Sequence, residues 1–74
     1  MSFPQATPIP VQSSLLASIG YSANATLELE FRSGALYRYF TVPHAVFLEL
    51  IAAESKGAYF NRNIRNRFPY KRLA

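Results

Sequence analysis

The chain of 74 residues has no cysteine, no tryptophan and no aspartate, and it holds only one histidine and three glycines. Without cysteine it can build neither a disulfide framework nor a thiolate metal centre. His44 and the scattered Glu28, Glu30, Glu49 and Glu54 do not supply the ligand set of a hydrolytic zinc site, so no metal is expected. Gly20, Gly34 and Gly57 lie too far apart to cradle a phosphate in a glycine-rich loop, and no cofactor is expected either. No apolar run approaches the ~20 residues that span a bilayer. The first ten residues lack Lys and Arg and include Pro4, Pro8 and Pro10, which argues against a signal peptide. A cytoplasmic protein with no membrane partner is the expectation.

Acid is missing where base is concentrated. Residues 1–54 sum to −2, whereas residues 55–74 hold Lys56, Arg62, Arg65, Arg67, Lys71 and Arg72 with no acid, for +6, and together they give the net charge of +4. Clustered cations raise a local potential that scattered ones do not, which suits a polyanion or an acidic protein surface as partner and equally a solvated basic face that keeps a small domain in solution. Catalysis is poorly provided for. His44 falls in a first helical turn, where an exposed polar residue is ordinary, and Glu28 and Glu30 share an exposed strand face with Arg38 nearby, which leaves both ionised. An enzyme is therefore not expected.

What is present is apolar and aromatic. Half of the residues are hydrophobic, with five Tyr and six Phe, enough for the single core that a chain of this size can bury. Residues 1–12 mix Pro, Ser, Thr and Gln and read as a flexible or extended arm, leaving residues 13–74 as one domain. Leu15, Leu16, Ile19 and Tyr21 predict a first strand, interrupted near Gly20 by a bulge or a close backbone approach. A turn over residues 22–25 follows, with Asn24 the residue suited to a left-handed conformation. Residues 26–31 alternate strictly, Leu27, Leu29 and Phe31 against Glu28 and Glu30. Arg32-Ser33-Gly34 then suits a three-residue hairpin loop ending in a left-handed glycine. That loop length pairs Leu29 with Tyr37, Leu27 with Tyr39 and Glu28 with Arg38; a two-residue loop would turn Arg38 onto the core face.

Pro43 reads as the first residue of a helix ending near Glu54, whose stripe is Val46, Phe47, Leu50 and Ile51. Ser55-Lys56-Gly57 breaks it, and Ser55 caps a second helix over about residues 58–65, with Phe60 and Ile64 inward and Asn61, Arg62 and Arg65 on another side. Pro69 ends any helix. The expected fold is α+β, a three-stranded antiparallel meander followed by two helices packed on one face.

Three blocks in order carry a family resemblance: Val11-Gln12-Ser13-Ser14 leading to Ile19-Gly20-Tyr21; Tyr37-Arg38-Tyr39; and residues 54–62 continuing to Phe68-Pro69-Tyr70-Lys71-Arg72-Leu73. Over about residues 11–73 the chain resembles the KTSC family, named for a domain at the C-terminus of some lysyl-tRNA synthetases and found also as small free-standing bacterial proteins. The resemblance implies a bacterial or phage source and a binding role, with RNA indicated by the synthetase context. The residues support that partner independently. Lys56, Arg62, Arg65, Arg67, Lys71 and Arg72 are interleaved with Tyr59, Phe60, Phe68 and Tyr70, cations for phosphates and flat rings for bases. Arg62 and Arg65, three apart on one helical face, are expected to meet phosphates, with Tyr59 and Tyr70 available for stacking. Tyr37, Arg38 and Tyr39 read as structural, the two tyrosines preferring the core with their hydroxyls toward the sheet edge or the C-terminal segment. The alternative is a protein-interaction module that presents the same basic surface to an acidic partner.

Overall fold

The strict alternation of residues 26–31 produces the strand it predicts. In the computed structural model, which describes residues 7–74, β3 spans Thr26–Phe31 and pairs antiparallel with β4, Leu36–Tyr39. The loop between them is the three-residue one, with Gly34 at φ +96°, and Phe31 N–H reaches the Ala35 carbonyl at 2.9 Å. The register follows from it: Leu27 faces Tyr39, Leu29 faces Tyr37, and Glu28 faces Arg38. On the outer face the Arg38 guanidinium donates to Glu28 Oε2 at 3.1 Å, so the charged residues complement each other across the strands.

On the other side β3 pairs with β2, Leu16–Ser22. The bulge falls between Leu16 and Ser18 rather than near Gly20, which pairs regularly with Glu28. Leu16 and Ile19 are both fully buried yet three residues apart, and a period of two brings both inward only if one extra residue is absorbed between them. The turn differs too. Ala25, not Asn24, takes the left-handed conformation at φ +60°, because a three-residue loop places it in third position, as with Gly34. Asn24 instead accepts the Ser22 hydroxyl proton at 2.6 Å.

The sheet has five strands, in the order β1-β2-β3-β4-β5, rather than the three of the meander. Within the arm assigned to residues 1–12, residues 1–6 lie outside the described residues, while β1, Ile9–Pro10, pairs with Ile19 and Ser18 of β2. The Arg32 guanidinium clamps the following segment, donating to the carbonyls of Val11 (2.9 Å) and Ser13 (3.1 Å). At the far edge β5, Tyr70–Arg72, pairs with β4. Both added strands are short and exposed, and their own alternation is too brief to show; the open ladders of β2 and β4 create them.

Two helices cover the inner face. α1 spans His44–Ala52, with Pro43 one position earlier than expected, at the N-cap; Leu50 is fully buried, while Val46, Phe47 and Ile51 are half-buried. α2 spans Lys56–Asn63, two residues earlier at each end than expected. Ser55 caps it, its hydroxyl accepting from Ala58 N–H at 3.2 Å. The chain does break between α1 and α2, with Gly57 in the first turn of α2, where a Cβ would stand 3.3 Å from Leu15 Cβ, so the glycine permits close approach of the helix to the segment just before β2. Leu16, Ile19, Leu27, Leu29, Leu50, Phe60 and Ile64 make one core with Tyr39 and Val42.

Candidate functional site

Where β4 and β5 run beyond the cover of α2, the inner face opens into a groove of about 480 Å³. Register decides its lining. Tyr37 and Tyr39 of β4 point to the helix-covered face with Leu27 and Leu29, and their β5 partners Arg72 and Tyr70 point the same way. The rings form a continuous floor. Tyr37 and Tyr39 lie 6.2 Å apart at 20°, and Tyr70 sits 5.6 Å from each. Phe31 meets Tyr37 edge-on, and Phe60 meets Tyr39 edge-on at 5.9 Å, which tie the floor into the core.

Burial grades this floor. Tyr39 is 4% exposed and Tyr70 56% exposed, so one ring anchors while the other presents a face to solvent. Burial, with Tyr37 and Tyr70 alongside, pushes the Tyr39 hydroxyl up to about 12 against the opposing pull of Arg65, and it stays protonated throughout the physiological range. Arg65 and Arg72 line the rim with Asn61 and Asn66. Arg72 lies over Tyr37, its guanidinium carbon 5.8 Å from the ring centroid, while its Nε donates to the Ala74 carbonyl at 3.0 Å. Asn66 holds its place through a left-handed turn, φ +61°, closed by Arg67 N–H on the Ile64 carbonyl at 3.0 Å.

The residues singled out in the sequence are divided by the fold. Arg65, Arg72 and Tyr70 come together with Tyr37 and Tyr39 in the groove. Arg62 is exposed on α2 and Arg67 is exposed in the turn after it, both outside the lining. Lys71 faces the outer side of the sheet, opposite Arg38. Lys56 donates to the Ala53 carbonyl at 3.0 Å, closing the end of α1. Tyr59 joins the helices, its hydroxyl donating to Glu49 Oε1 at 2.6 Å; desolvation, then this bond and the carboxylate charge, push it up to about 12. Arg65 lies beyond the end of α2, in the turn that also holds Asn66, so it and Arg62 are not on one helix as expected, and no local signal marks Asn66.

Elsewhere the outer face forms a hollow of about 390 Å³ that contains Glu28 and Glu30. His44 is exposed, stacked on Phe47 and tilted against Tyr21. Among the described residues, no three His, Asp or Glu side chains gather as a metal site, and no helix is long and apolar enough to cross a membrane.

Fold and groove together define a small α+β domain with an aromatic floor and a cationic rim on one face. The chain matches the KTSC domain over residues 12–68 and belongs to that family. Its fold is that of the crystal structure of a KTSC domain protein from Yersinia pestis, with a TM-score of 0.91 and 34% identity over 95% of this chain and 100% of that one. A protein of Tsukamurella paurometabola is 45% identical over 60 residues, which cover 80% of this chain and 90% of its relative. A lysine–tRNA ligase of Trichormus variabilis is 47% identical over 53 residues, 72% of this chain; the match spans only 9% of that ligase. Of the groove residues, Tyr37, Tyr39, Asn61, Arg65 and Asn66 lie within the matched segment, whereas Tyr70 and Arg72 lie just beyond it.

Proposed function

We propose that this KTSC domain is a non-catalytic module that binds single-stranded RNA in the groove between α2 and the β4–β5 edge. The observation that carries the reading is the convergence of exposed Tyr70 and half-buried Tyr37 with Arg65 and Arg72 on one concave surface. An unpaired base offers a π-face to Tyr70 and Tyr37, and the flanking phosphates offer negative charge to the two guanidiniums. A duplex keeps its bases stacked inside and presents no such face. The match to part of lysine–tRNA ligases, proteins named for a tRNA substrate, is consistent with an RNA partner.

Fluorescence anisotropy with labelled single-stranded RNA and tRNA at several salt concentrations tests the reading. Binding should weaken as salt rises. Arg65→Ala with Arg72→Ala should reduce the magnitude of the slope of log affinity against log salt by about 1.4, since each phosphate contact on a single strand contributes ~0.7. Tyr70→Ala should weaken binding by about 1–3 kcal/mol, the worth of one stacked base, with the slope preserved. Absence of binding below roughly 100 μM at physiological salt removes the RNA reading and leaves the same cationic rim for an acidic protein partner.

A further inference from the structure

The tyrosines differ in what their hydroxyls meet. Tyr21 donates to the Val42 carbonyl and Tyr59 to the Glu49 carboxylate, each at 2.6 Å. Among the described residues the three tyrosines of the groove, Tyr37, Tyr39 and Tyr70, have no such partner. Tyr39 is the telling case, because it is 4% exposed and a buried hydroxyl ordinarily finds an acceptor. Among the described residues the one fully enclosed side-chain polar atom without a partner is Arg38 Nε, so the Tyr39 oxygen is not sealed off: it opens into the groove that Tyr39 lines.

The surroundings suit an anion. Tyr39 stays protonated and so can donate; the lining also holds Arg65, which makes no ion pair among the described residues, and it includes no carboxylate. A phenol and a guanidinium facing an oxyanion form charge-assisted hydrogen bonds, the strong class. An internal phosphodiester bears one charge and two free oxygens, with chain leaving on both sides. A terminal phosphate monoester bears nearly two charges and three free oxygens, with chain on one side only. Phe60 of α2 packs edge-on against the Tyr39 ring at 5.9 Å, and a strand reaches a hydroxyl so recessed more readily with its end than with its middle.

We infer that the groove receives the phosphorylated end of an RNA strand, the terminal phosphate on the hydroxyl of Tyr39 and the guanidinium of Arg65, the adjoining base on Tyr70 and the next phosphate on Arg72. The inference rests on the single-stranded RNA reading. Its test uses internally labelled oligo-uridine strands about nine nucleotides long, within the range of small single-strand sites, phosphorylated at the 5′ end, at the 3′ end or at neither. By anisotropy at least one phosphorylated strand should bind about tenfold more tightly than the hydroxyl-ended strand, the worth of a hydrogen bond to a charged group, and the strand that does so identifies the end. Tyr39→Phe keeps the ring and the charge of the site and removes one oxygen, so in that variant the ratio should fall to about twofold or less. Arg65→Gln, in the exposed turn, should lower the ratio as well, and it carries the test if Tyr39→Phe does not fold. A phosphate preference undiminished in either folded variant overturns the inference. Equal affinities for the three strands overturn end recognition while leaving RNA binding in place. If none of the three binds, both readings fall.

Discussion

Ala25 shows how position outranks residue type. A left-handed backbone costs an L-residue with a Cβ about 1–2 kcal/mol, yet Ala25 sits at φ +60° because its loop must close between Ser22 and Thr26. Its N–H bonds the Ser22 carbonyl and its own carbonyl accepts from Val42 N–H at 2.9 Å, so the conformation is held from both sides. Glycine keeps both bonds and removes the strain, at a backbone-entropy cost of about 0.5–1 kcal/mol. Ala25→Gly should therefore stabilise the domain by about 0.5–1 kcal/mol, read as a higher urea midpoint at an unchanged denaturant slope. A lower midpoint would show that the turn carries no strain there.

At the level of elements, α1 rests on one fully buried side chain. Val46, Phe47 and Ile51 are half-buried, and Phe47 spends its ring on Tyr21, 4.9 Å away at the edge of the core, whose hydroxyl donates to the Val42 carbonyl just before the helix. Leu50 alone enters the centre of the core. Leu50→Ala should cost about 2–5 kcal/mol in chemical denaturation, a large share of the stability of so small a domain. A midpoint unmoved by that substitution would mean that α1 contributes little to the core. The strands teach a complementary lesson: β2 and β3 are specified by their own apolar residues, whereas β1 and β5 are specified by the ladders they complete.

For the molecule as a whole, one sheet separates two chemical faces. The helix side carries the aromatic groove with Arg65 and Arg72, whereas on the outer face Glu28 and Glu30 are balanced by Arg38 and Lys71, so the unbalanced positive charge lies on the groove side of the sheet. The buried Tyr39 hydroxyl links this site to global stability. Its folded value of about 12 stands above the ordinary 10 of an unfolded tyrosine, so the protonated form belongs to the folded state. Its contribution should be fully present below pH ~10 and lost as pH rises toward about 12, seen as a falling urea midpoint together with late tyrosinate absorbance. In Tyr39→Phe that alkaline loss should be smaller.

The sequence by itself determined the central hairpin, its register and the inward turn of Tyr37 and Tyr39, because period-two alternation and a third-place glycine are local constraints that neighbouring residues satisfy alone. It determined the cap of α2 at Ser55 and the concentration of cations after residue 54 for the same reason. The family was legible in three ordered blocks. The bulge before Ser18, the left-handed Ala25 and the edge strands escaped, since each answers to a partner strand distant in the chain. The lining of the candidate groove was half legible. Tyr70, Arg65 and Arg72 stood among the candidates, but so did Lys56, Tyr59, Arg62, Arg67 and Lys71, and composition cannot separate eight residues by the direction in which they point. Only the tertiary structure does that: pairing Tyr70–Arg72 with β4 turns Tyr70 and Arg72 inward and Lys71 outward, and folding α2 over the sheet brings Asn61, Arg65 and Asn66 to the same rim.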